Sequence, residues 1–238
     1  MRAALTFGPD FPGGTTVAER GYAPVLPRLC LGAALCCLSV APASACDGQS
    51  GPILMTDSFW NTQGGWSFDE RNFVLEAPGA IIKLPNQKGG SSLGVLYLTK
   101  SFDEGDFCVT GTFSAESLKV GAGFGVLFWA KDQDNFWVAA AYADGQVDLA
   151  RYSNKNWLPV WVTKEKGLAN LDPNAVNAVR VIARRDSLTV IFNGRALKTI
   201  RTRPLAAFPS YRFGIFAASL KPTSTAFTIN IHSYDVTE

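Results

Sequence analysis

The side chains best suited to ligand binding are concentrated in residues 121–152. Large aromatic rings can pack against the apolar face of a sugar ring, and a few polar groups can then fix the orientation of that sugar. This stretch supplies both kinds of side chain, and its candidate ligand-binding residues are Trp129, Lys131, Asn135, Trp137, Asp148 and Tyr152. Trp157 and Trp161 extend the aromatic set. The residue types therefore indicate a carbohydrate-binding surface.

Catalytic residues are harder to identify in this chain. Glycoside hydrolysis uses two carboxyl groups about 5–10 Å apart, and the candidates are Asp148 together with Asp132 or Asp134. The loop positions of Asp132 and Asp134 suit turn formation equally well. His232 is the only histidine, and its place in an alternating strand favours a structural role over a role beside a nucleophile. A hydrolase is therefore the alternative to a binding module.

Metal and phosphate sites have no clear sequence pattern here. No histidine or cysteine cluster has the spacing of a metal site, and we expect no cofactor. Gly121, Gly123 and Gly125 lie within a strand pattern and do not precede a helix, so they do not fit a phosphate-binding loop. Their spacing instead predicts close approach of a ligand or of a neighbouring backbone to that strand.

The charge balance argues against nucleic acid as a partner. The formal net charge is +2, which is too small to indicate nucleic acid or an anionic membrane surface. The densest basic group, Arg180 with Arg184 and Arg185, is interpreted as the solvated side of a strand. An oligosaccharide or polysaccharide is the expected partner.

Two turns must position the candidate residues. Asp144 and Gly145 lie between alternating runs, which predicts a two-residue type I′ hairpin, and residues 132–134 predict a second loop. In the resulting register Trp129, Trp137 and Tyr152 share one face with Lys131 and Asp148, because side chains alternate between faces along a strand. The opposite face is then the predicted core and carries Phe124, Val126, Phe128, Phe136, Val138, Ala140, Tyr142, Val147 and Leu149.

The whole chain reads as an all-β protein. Short alternating runs are punctuated by Gly, Pro, Asn and Asp, and Asn193 with Gly194 forms another type I′ signal. No helical period extends beyond two turns, and neither a repeat nor an interdomain linker is evident. The pattern predicts a two-sheet antiparallel β-sandwich, a jelly roll, as a single domain over residues 46–238.

The first 45 residues have the features of a leader with a secretory signal. Arg28 precedes an apolar run at residues 29–41, and Ala43-Ser44-Ala45 then forms a small-x-small site for cleavage after Ala45. The run is too short for a stable membrane-spanning helix, and the mature chain shows no other candidate span. We therefore expect removal of residues 1–45 and a location in the periplasm or outside the cell.

The mature chain would keep two cysteines, Cys46 and Cys108. Two cysteines in an exported chain predict one disulfide. The alternative is a lipid-modified Cys46, because residues 43–46 loosely resemble a bacterial lipobox in which Ala43 replaces the usual leucine.

Several stretches together resemble a known superfamily. They are TDSFW, GGWSF and FVLEAPGAI, then FGVLFWAKDQDNFWVAAAYADGQVDLARY, NAVRVIARRDSLTVIFNGRAL, FGIFAAS and FTINIHSYDV. Their order over residues 55–236 resembles the concanavalin A-like lectin/glucanase superfamily, and in particular bacterial laminin-G-like and family-16-glycosidase-like domains, including 3-keto-disaccharide hydrolase domains.

This resemblance implies a concave ligand-binding sheet. It also implies a structural calcium near the first and last strands, where Asp57 and Asp235 would be the ligands, although calcium binds six to eight oxygens. The catalytic motif Glu-x-Asp-x-x-Glu of family-16 glycosidases is missing from the sequence. We therefore expect a lectin-like binding module, with a glycoside or 3-keto-disaccharide hydrolase as the first alternative and a protein-binding envelope or adhesion domain as the second.

Overall fold

The structure is a computed structural model that describes residues 46, 48–59, 65–67, 73–75, 79–84, 92–165, 167–172, 175–204, 210–219 and 227–238. Alternating sequences separated by turn residues make its regular structure almost entirely β-strand. In chain order the elements are β1 (Ile53–Asp57), β2 (Phe73–Leu75), β3 (Ala80–Leu84), β4 (Ser92–Leu96), β5 (Gly105–Phe113), α1 (Ala115–Val120), β6 (Ala122–Asp132), β7 (Asn135–Tyr142), β8 (Gln146–Ser153), β9 (Asn156–Lys164), β10 (Asn177–Arg184), β11 (Ser187–Phe192), β12 (Arg195–Arg201), β13 (Arg212–Ser219) and β14 (Phe227–Thr237).

The strands form two antiparallel sheets. The eight-stranded sheet has the order β12-β11-β10-β5-β14-β3-β2, and β1 also pairs with β14. The six-stranded sheet has the order β4-β13-β6-β7-β8-β9. Late strands lie between early ones, since β13 separates β4 from β6 and β14 separates β5 from β3. This connectivity confirms the predicted jelly-roll sandwich.

One apolar core lies between the two sheets. We call the face of each sheet that points into this core its inner face and the opposite face its outer face. Both inner faces contribute fully buried aromatic rings, among them Phe107, Phe124, Phe128, Phe192, Phe213, Phe227 and Tyr234. Phe213 and Tyr234 join the sheets with ring centroids 5.6 Å apart. Burial of apolar surface, at about 25 cal/mol per Å², is the main source of stability for such a core.

The predicted turn at Asn193 and Gly194 is confirmed. Both residues have positive φ, 47° and 77°, as a type I′ turn requires. Phe192 pairs directly with Arg195 across the turn. The local sequence therefore determined both the turn type and the strand register.

The predicted type I′ turn at Asp144 and Gly145 is wrong. Only Gly145 has a positive φ there, 86°. β7 ends at Tyr142 and β8 begins at Gln146, so the connection is a three-residue loop with its glycine in the left-handed position. The Asp144 side chain accepts a hydrogen bond from Gln146 N at 3.1 Å, which stabilises this loop. The extra loop residue shifts the β7–β8 pairing by one position.

The pairing of β6 with β7 also differs from the prediction by one residue. Trp137 pairs with Phe128, whereas the predicted register placed it opposite Trp129. At the loop end Asp132 pairs with Asn135, so two extra residues of β6 form a bulge between these pairs. Trp129 lies in the bulge with φ 47°. Because the side-chain period of a strand is two, a one-residue shift moves side chains to the other face.

The glycines near the start of β6 permit close packing inside the sheet. Gly121 ends α1 with φ 62°. A Cβ at Gly125 would lie 1.9 Å from Ala139 O, and a Cβ at Gly123 would lie 2.3 Å from the ring of Tyr142. The close approach that the sequence predicts is therefore made by the neighbouring strand β7.

Candidate functional site

The outer face of the six-stranded sheet carries a second apolar cluster. Its buried members come from β4, β6, β7 and β13 and are Leu96, Leu127, Ala130, Phe136, Val138, Ala140, Tyr142, Phe216 and Ala218. Tyr152 of β8 and Trp157 of β9 pack against this cluster and are partly exposed. Asp148 lies on the same face, because it pairs with Ala140 and cross-strand partners point to one side of a sheet.

Trp129 and Trp137 lie in the core between the sheets. Each is 1% exposed, and their rings meet edge to face with centroids 5.9 Å apart. Trp129 Nε1 donates a hydrogen bond to Asp103 O at 2.7 Å. The Arg151 guanidinium lies 5.3 Å from the ring centroid of Trp137. The predicted surface position of both tryptophans is therefore wrong, because the register shift turns Trp137 inward and the bulge in β6 turns Trp129 inward.

Four aromatic rings touch one another on the outer face, and we call them the aromatic platform: Phe136, Tyr152, Trp157 and Phe216. The ring centroids of Tyr152 and Trp157 are 4.9 Å apart, and Phe136 lies 5.1 Å from the first and 5.9 Å from the second. Trp157 also contacts Phe216, at 5.6 Å. Four strand-to-strand steps separate β9 from β13, or about 19 Å in a flat sheet. The sheet must therefore curve toward this face, with Trp157 leaning across it.

Phe136 and Phe216 are not among the residues that the sequence pattern predicts for the ligand surface. The predicted register places Phe136 in the core, because it places the neighbouring Trp137 outside. Phe216 lies far along the chain in β13 and joins the platform only through the sheet order. The correct loop length at Gly145 would have placed Phe136 beside Tyr152, which is its partner in the structure.

Asp148 is half-buried on the outer face and titrates at an unusually high pH. Gln146 Nε2 donates a hydrogen bond to Asp148 Oδ1 at 3.0 Å, and the Tyr142 hydroxyl donates another. Burial raises the pKa of Asp148 from 3.8 to about 6; these hydrogen bonds oppose the shift and the charge of Asp144 adds to it. Burial, followed by the charge of Asp148, raises the pKa of Tyr142 well above its ordinary value. Such a carboxyl group on an aromatic-lined surface is a candidate functional group.

Asp132 and Asp134 lie far from Asp148. Asp132 Oδ1 accepts hydrogen bonds from Asp134 N and Asn135 Nδ2, both at 2.8 Å, which is the role of a turn former. Asn135 begins β7, and Ala140, the partner of Asp148, lies five residues further along that strand. This separation is about 17 Å, whereas a glycosidase pair needs about 5–10 Å. The structure therefore does not bring the candidate catalytic carboxylates together.

Lys131 and Asn135 lie at the same end of the sheet as that loop. Asn135 Oδ1 accepts hydrogen bonds from Ser153 Oγ at 3.3 Å and Asn154 N at 3.4 Å, so its amide joins two hairpin loops. Lys131 is exposed and lines a small pocket at this end of the sheet. Of the six predicted ligand-binding residues, the structure places Asp148 and Tyr152 together on the outer face.

The two candidate calcium ligands point to opposite faces of the eight-stranded sheet. Asp235 pairs with Thr56, the residue before Asp57, and the Thr56 hydroxyl donates a hydrogen bond to its carboxylate. The Asp57 carboxylate accepts hydrogen bonds on the other side, from Phe59 N at 2.7 Å and Trp66 Nε1 at 2.8 Å. These two carboxylates cannot share an ion. Within the described ranges, no group of three or more potential metal ligands occurs.

The outer face of the eight-stranded sheet holds the start of the described chain. Cys46 and Cys108 form a disulfide, the pairing that the sequence predicts. Arg180 is not solvated as predicted, since it is 9% exposed. It forms a buried ion pair with Asp106, with Nε to Oδ1 at 2.7 Å. Its guanidinium also donates to Gly48 O at 2.8 Å, so the disulfide fixes this segment to β5 and the hydrogen bond from Arg180 fixes it to β10.

Comparison with known proteins identifies the fold. No protein-family model and no curated protein matches the chain, whereas many solved structures do. The carbohydrate-binding module CBM66 from Bacillus subtilis is 18% identical, with 71% of this chain and 94% of that chain covered and a TM-score of 0.51. The Bacillus licheniformis β-glucanase is 12% identical, with 80% and 100% covered and a TM-score of 0.57. The catalytic domain of a laminarinase from Thermotoga petrophila is 9% identical, with 79% and 98% covered and a TM-score of 0.57.

The chain therefore has the concanavalin A-like lectin/glucanase jelly-roll fold. Sequence identities this low establish the fold, and the fold carries many unrelated functions. The narrower resemblance to 3-keto-disaccharide hydrolase domains stays a prediction. In the described part of the chain, no helix has the length and apolar character needed to cross a membrane.

Proposed function

We propose that this protein is an exported carbohydrate-binding module that uses the outer face of its six-stranded sheet. The aromatic platform carries the proposal. Tyr152 and Trp157 are partly exposed, and the buried rings of Phe136 and Phe216 support them. Such rings suit stacking on a sugar, and Asp148 offers a polar group on the same face. Asp148 lies four residues from Tyr152 along β8, about 13 Å, so one oligosaccharide can contact both.

The similar structures support a glycan as the partner. One of them is named a carbohydrate-binding module and others are named β-glucanases. Proteins of both kinds share this fold, and the platform provides the apolar stacking surface that binding a sugar ring requires. An oligosaccharide or polysaccharide is therefore the ligand class we propose.

A glycoside hydrolase is the second candidate, and the raised pKa of Asp148 is the observation that favours it. A carboxyl group with a pKa of about 6 suits a general acid near neutral pH. Its nearest candidate partner is Asp144, which influences the Asp148 pKa and forms an ion pair with Lys164. A protein-binding envelope or adhesion domain that uses the same platform is the third candidate.

The disulfide supports an extracellular or periplasmic location. The leader that the sequence predicts, residues 1–45, lies outside the described residues. We propose that it is removed and that the mature chain begins at Cys46, whose sulfur is then held in the disulfide with Cys108. A sulfur in a disulfide has no thiol left for lipid attachment. Intact mass of the protein from producing cells distinguishes the two: the disulfide form lacks two hydrogens, and the lipidated form gains a diacylglycerol.

One assay separates the three candidate functions. The purified protein is incubated with a panel of soluble neutral and acidic glycans, while tryptophan fluorescence and the release of reducing sugar are recorded together. We expect a saturable fluorescence change without product, because Trp157 lies on the ligand surface. Released sugar that is lost in Asp148→Asn would establish the hydrolase instead. No response to any glycan would contradict carbohydrate binding and favour a protein partner.

A further inference from the structure

A small pocket opens at one end of the six-stranded sheet, between the chain after β4, the end of β6 and the start of β13. Its volume is about 260 Å³, and its lining residues are Leu98, Thr99, Lys100, Ser101, Lys131, Ser210 and Arg212. Three of these side chains are cationic, three carry hydroxyl groups, and none is acidic. Pockets for drug-sized ligands measure roughly 300–1,000 Å³. This pocket therefore suits one charged group or one sugar ring.

The backbone around the pocket is held in place on both sides. Tyr97 N donates a hydrogen bond to Phe213 O at 2.8 Å, and Phe102 N donates one to Tyr211 O at 2.9 Å. The pocket loop, residues 98–101, lies between these two hydrogen bonds. The rings of Tyr97 and Phe102 both stack on Phe213, each with centroids 5.3 Å apart. A loop fixed in this way loses little conformational entropy when a ligand binds.

Two of the cationic side chains of the pocket, Lys100 and Arg212, carry charge that no described carboxylate neutralises. Lys100 Nζ donates a hydrogen bond to the backbone oxygen of Leu54 at 3.0 Å, which restrains the ammonium group. Among the ion pairs of the described residues, none includes Lys100 or Arg212. A guanidinium group can bind a carboxylate or a sulfate through two parallel hydrogen bonds. The hydroxyl groups of Ser101 and Ser210 can donate further hydrogen bonds to such an anion.

The pocket lies within the reach of one oligosaccharide from the aromatic platform. Arg212 pairs with Ala130 of β6, and Ala130 lies in the bulge opposite Phe136. Phe136 in turn pairs with Tyr152. Three strand-to-strand steps therefore separate Arg212 from Tyr152, or about 14 Å. One oligosaccharide that stacks on Tyr152 can therefore place another of its sugar residues over the pocket.

We propose that this pocket binds the carboxylate or sulfate group of an acidic glycan, another ring of which stacks on Tyr152 and Trp157. This inference rests on the proposed carbohydrate binding and narrows the ligand to acidic oligosaccharides and polysaccharides. Lys100 and Arg212 supply the charge, and Lys131 lines the same pocket. The platform gives affinity for the sugar ring, and the pocket gives preference for the charged form.

The test compares acidic oligosaccharides with neutral counterparts by isothermal titration calorimetry at low salt. The pairs are oligogalacturonate with its methyl ester, and κ-carrageenan oligosaccharides with neutral agarose oligosaccharides. We expect at least about tenfold tighter binding of the acidic member of one pair, the effect of one charge-assisted hydrogen bond. Arg212→Gln and Lys100→Gln should each reduce that preference severalfold and leave affinity for the neutral member unchanged. Arg201→Gln removes one exposed charge from β12 of the other sheet and should leave the preference intact.

Equal binding of both members, or equal effects of Arg212→Gln and Arg201→Gln, would overturn the inference while leaving carbohydrate binding in place.

A second measurement identifies the anion source: sodium sulfate is titrated against sodium chloride at constant ionic strength, and backbone amide signals are followed by NMR. We expect shifts at residues 99–101 and Ser210 that Arg212→Gln abolishes. Sulfate binding without binding of any glycan would overturn the proposed carbohydrate function and the acidic glycan together, leaving a site for a free anion. No sulfate shift and no acidic preference would overturn the pocket as an anion site.

Discussion

The two faces of the six-stranded sheet are both rich in aromatic residues, yet their surroundings differ. On the inner face Trp129 and Trp137 are each 1% exposed and belong to the core. On the outer face Tyr152 and Trp157 are partly exposed and share that surface with Asp148. Aromatic content alone therefore does not identify a ligand surface. A ligand surface is better indicated by aromatic rings that are partly exposed and have polar neighbours on the same face.

The largest expected effect is on the inner face. Trp137→Ala should lower the free energy of unfolding by about 3 to 5 kcal/mol, because it removes a fully buried ring and leaves a cavity. The partly exposed ring of Trp157 buries less apolar surface, so Trp157→Ala should cost less, about 1 to 2 kcal/mol. Denaturant unfolding followed by circular dichroism measures both values. If the two substitutions cost the same, the outer face is a second core and the comparison fails.

The next effect concerns binding at the outer face. Tyr152→Ala should weaken binding of the preferred glycan about 10- to 100-fold, since exposed aromatic anchors dominate binding energy at such surfaces. Tyr152→Phe keeps the ring and should stay within about threefold of the wild-type affinity. Calorimetric titration of both variants gives the comparison. If Tyr152→Ala bound the glycan with unchanged affinity, the assignment of Tyr152 to the ligand surface would be wrong.

Asp148, on the outer face, should make the stability of the protein depend on pH. Its pKa is about 6 in the folded chain against an ordinary 3.8, so between about pH 4 and 6 the folded state holds a proton that the unfolded state releases. Stability should therefore fall as pH rises through this window and stay lower above it. Asp148→Asn should abolish this fall and, above pH 6, stabilise the chain by about 1 to 2 kcal/mol, allowing for partial solvent exposure. Thermal unfolding from pH 4 to 8 measures the slope, and an unchanged slope in Asp148→Asn would contradict the assignment.

The smallest effect tests the loop that sets the register of β7 and β8. Asp144 has an ordinary φ and accepts a hydrogen bond from Gln146 N, so Asp144→Gly should destabilise the chain by about 0.5 to 1 kcal/mol. In a type I′ turn this position would have a positive φ, and glycine there would relieve backbone strain. Asp144→Asn keeps the acceptor oxygen and controls for the lost ion pair with Lys164. If Asp144→Gly stabilised the chain, that result would indicate a two-residue turn instead. The residues assigned to the inner and outer faces of β7 would then be exchanged.

The sequence was sufficient for the fold but not for the site, and the reason is physical. Alternation and turn residues predict the jelly roll, and two cysteines predict the disulfide between Cys46 and Cys108. The faces of β6 and β7 are both apolar, so alternation cannot fix their register. The loop between β7 and β8 is one residue longer than predicted, and this difference exchanges the inner and outer faces of β7. In β8 polar and apolar residues do alternate, and there the outward position of Asp148 was predicted correctly.

Strand β9 offers a matched test of the central claim, because it carries one tryptophan on each face. Trp157 packs on the outer-face cluster, whereas Trp161 pairs with Leu149 and packs against the core. We would measure retardation of wild type, Trp157→Ala and Trp161→Ala in native gels that contain the glycan selected by the panel. The outer-face assignment predicts that Trp157→Ala loses retardation, while Trp161→Ala is retarded like wild type despite a lower melting temperature. Loss of retardation in Trp161→Ala with retention in Trp157→Ala would place the ligand elsewhere and contradict the claim.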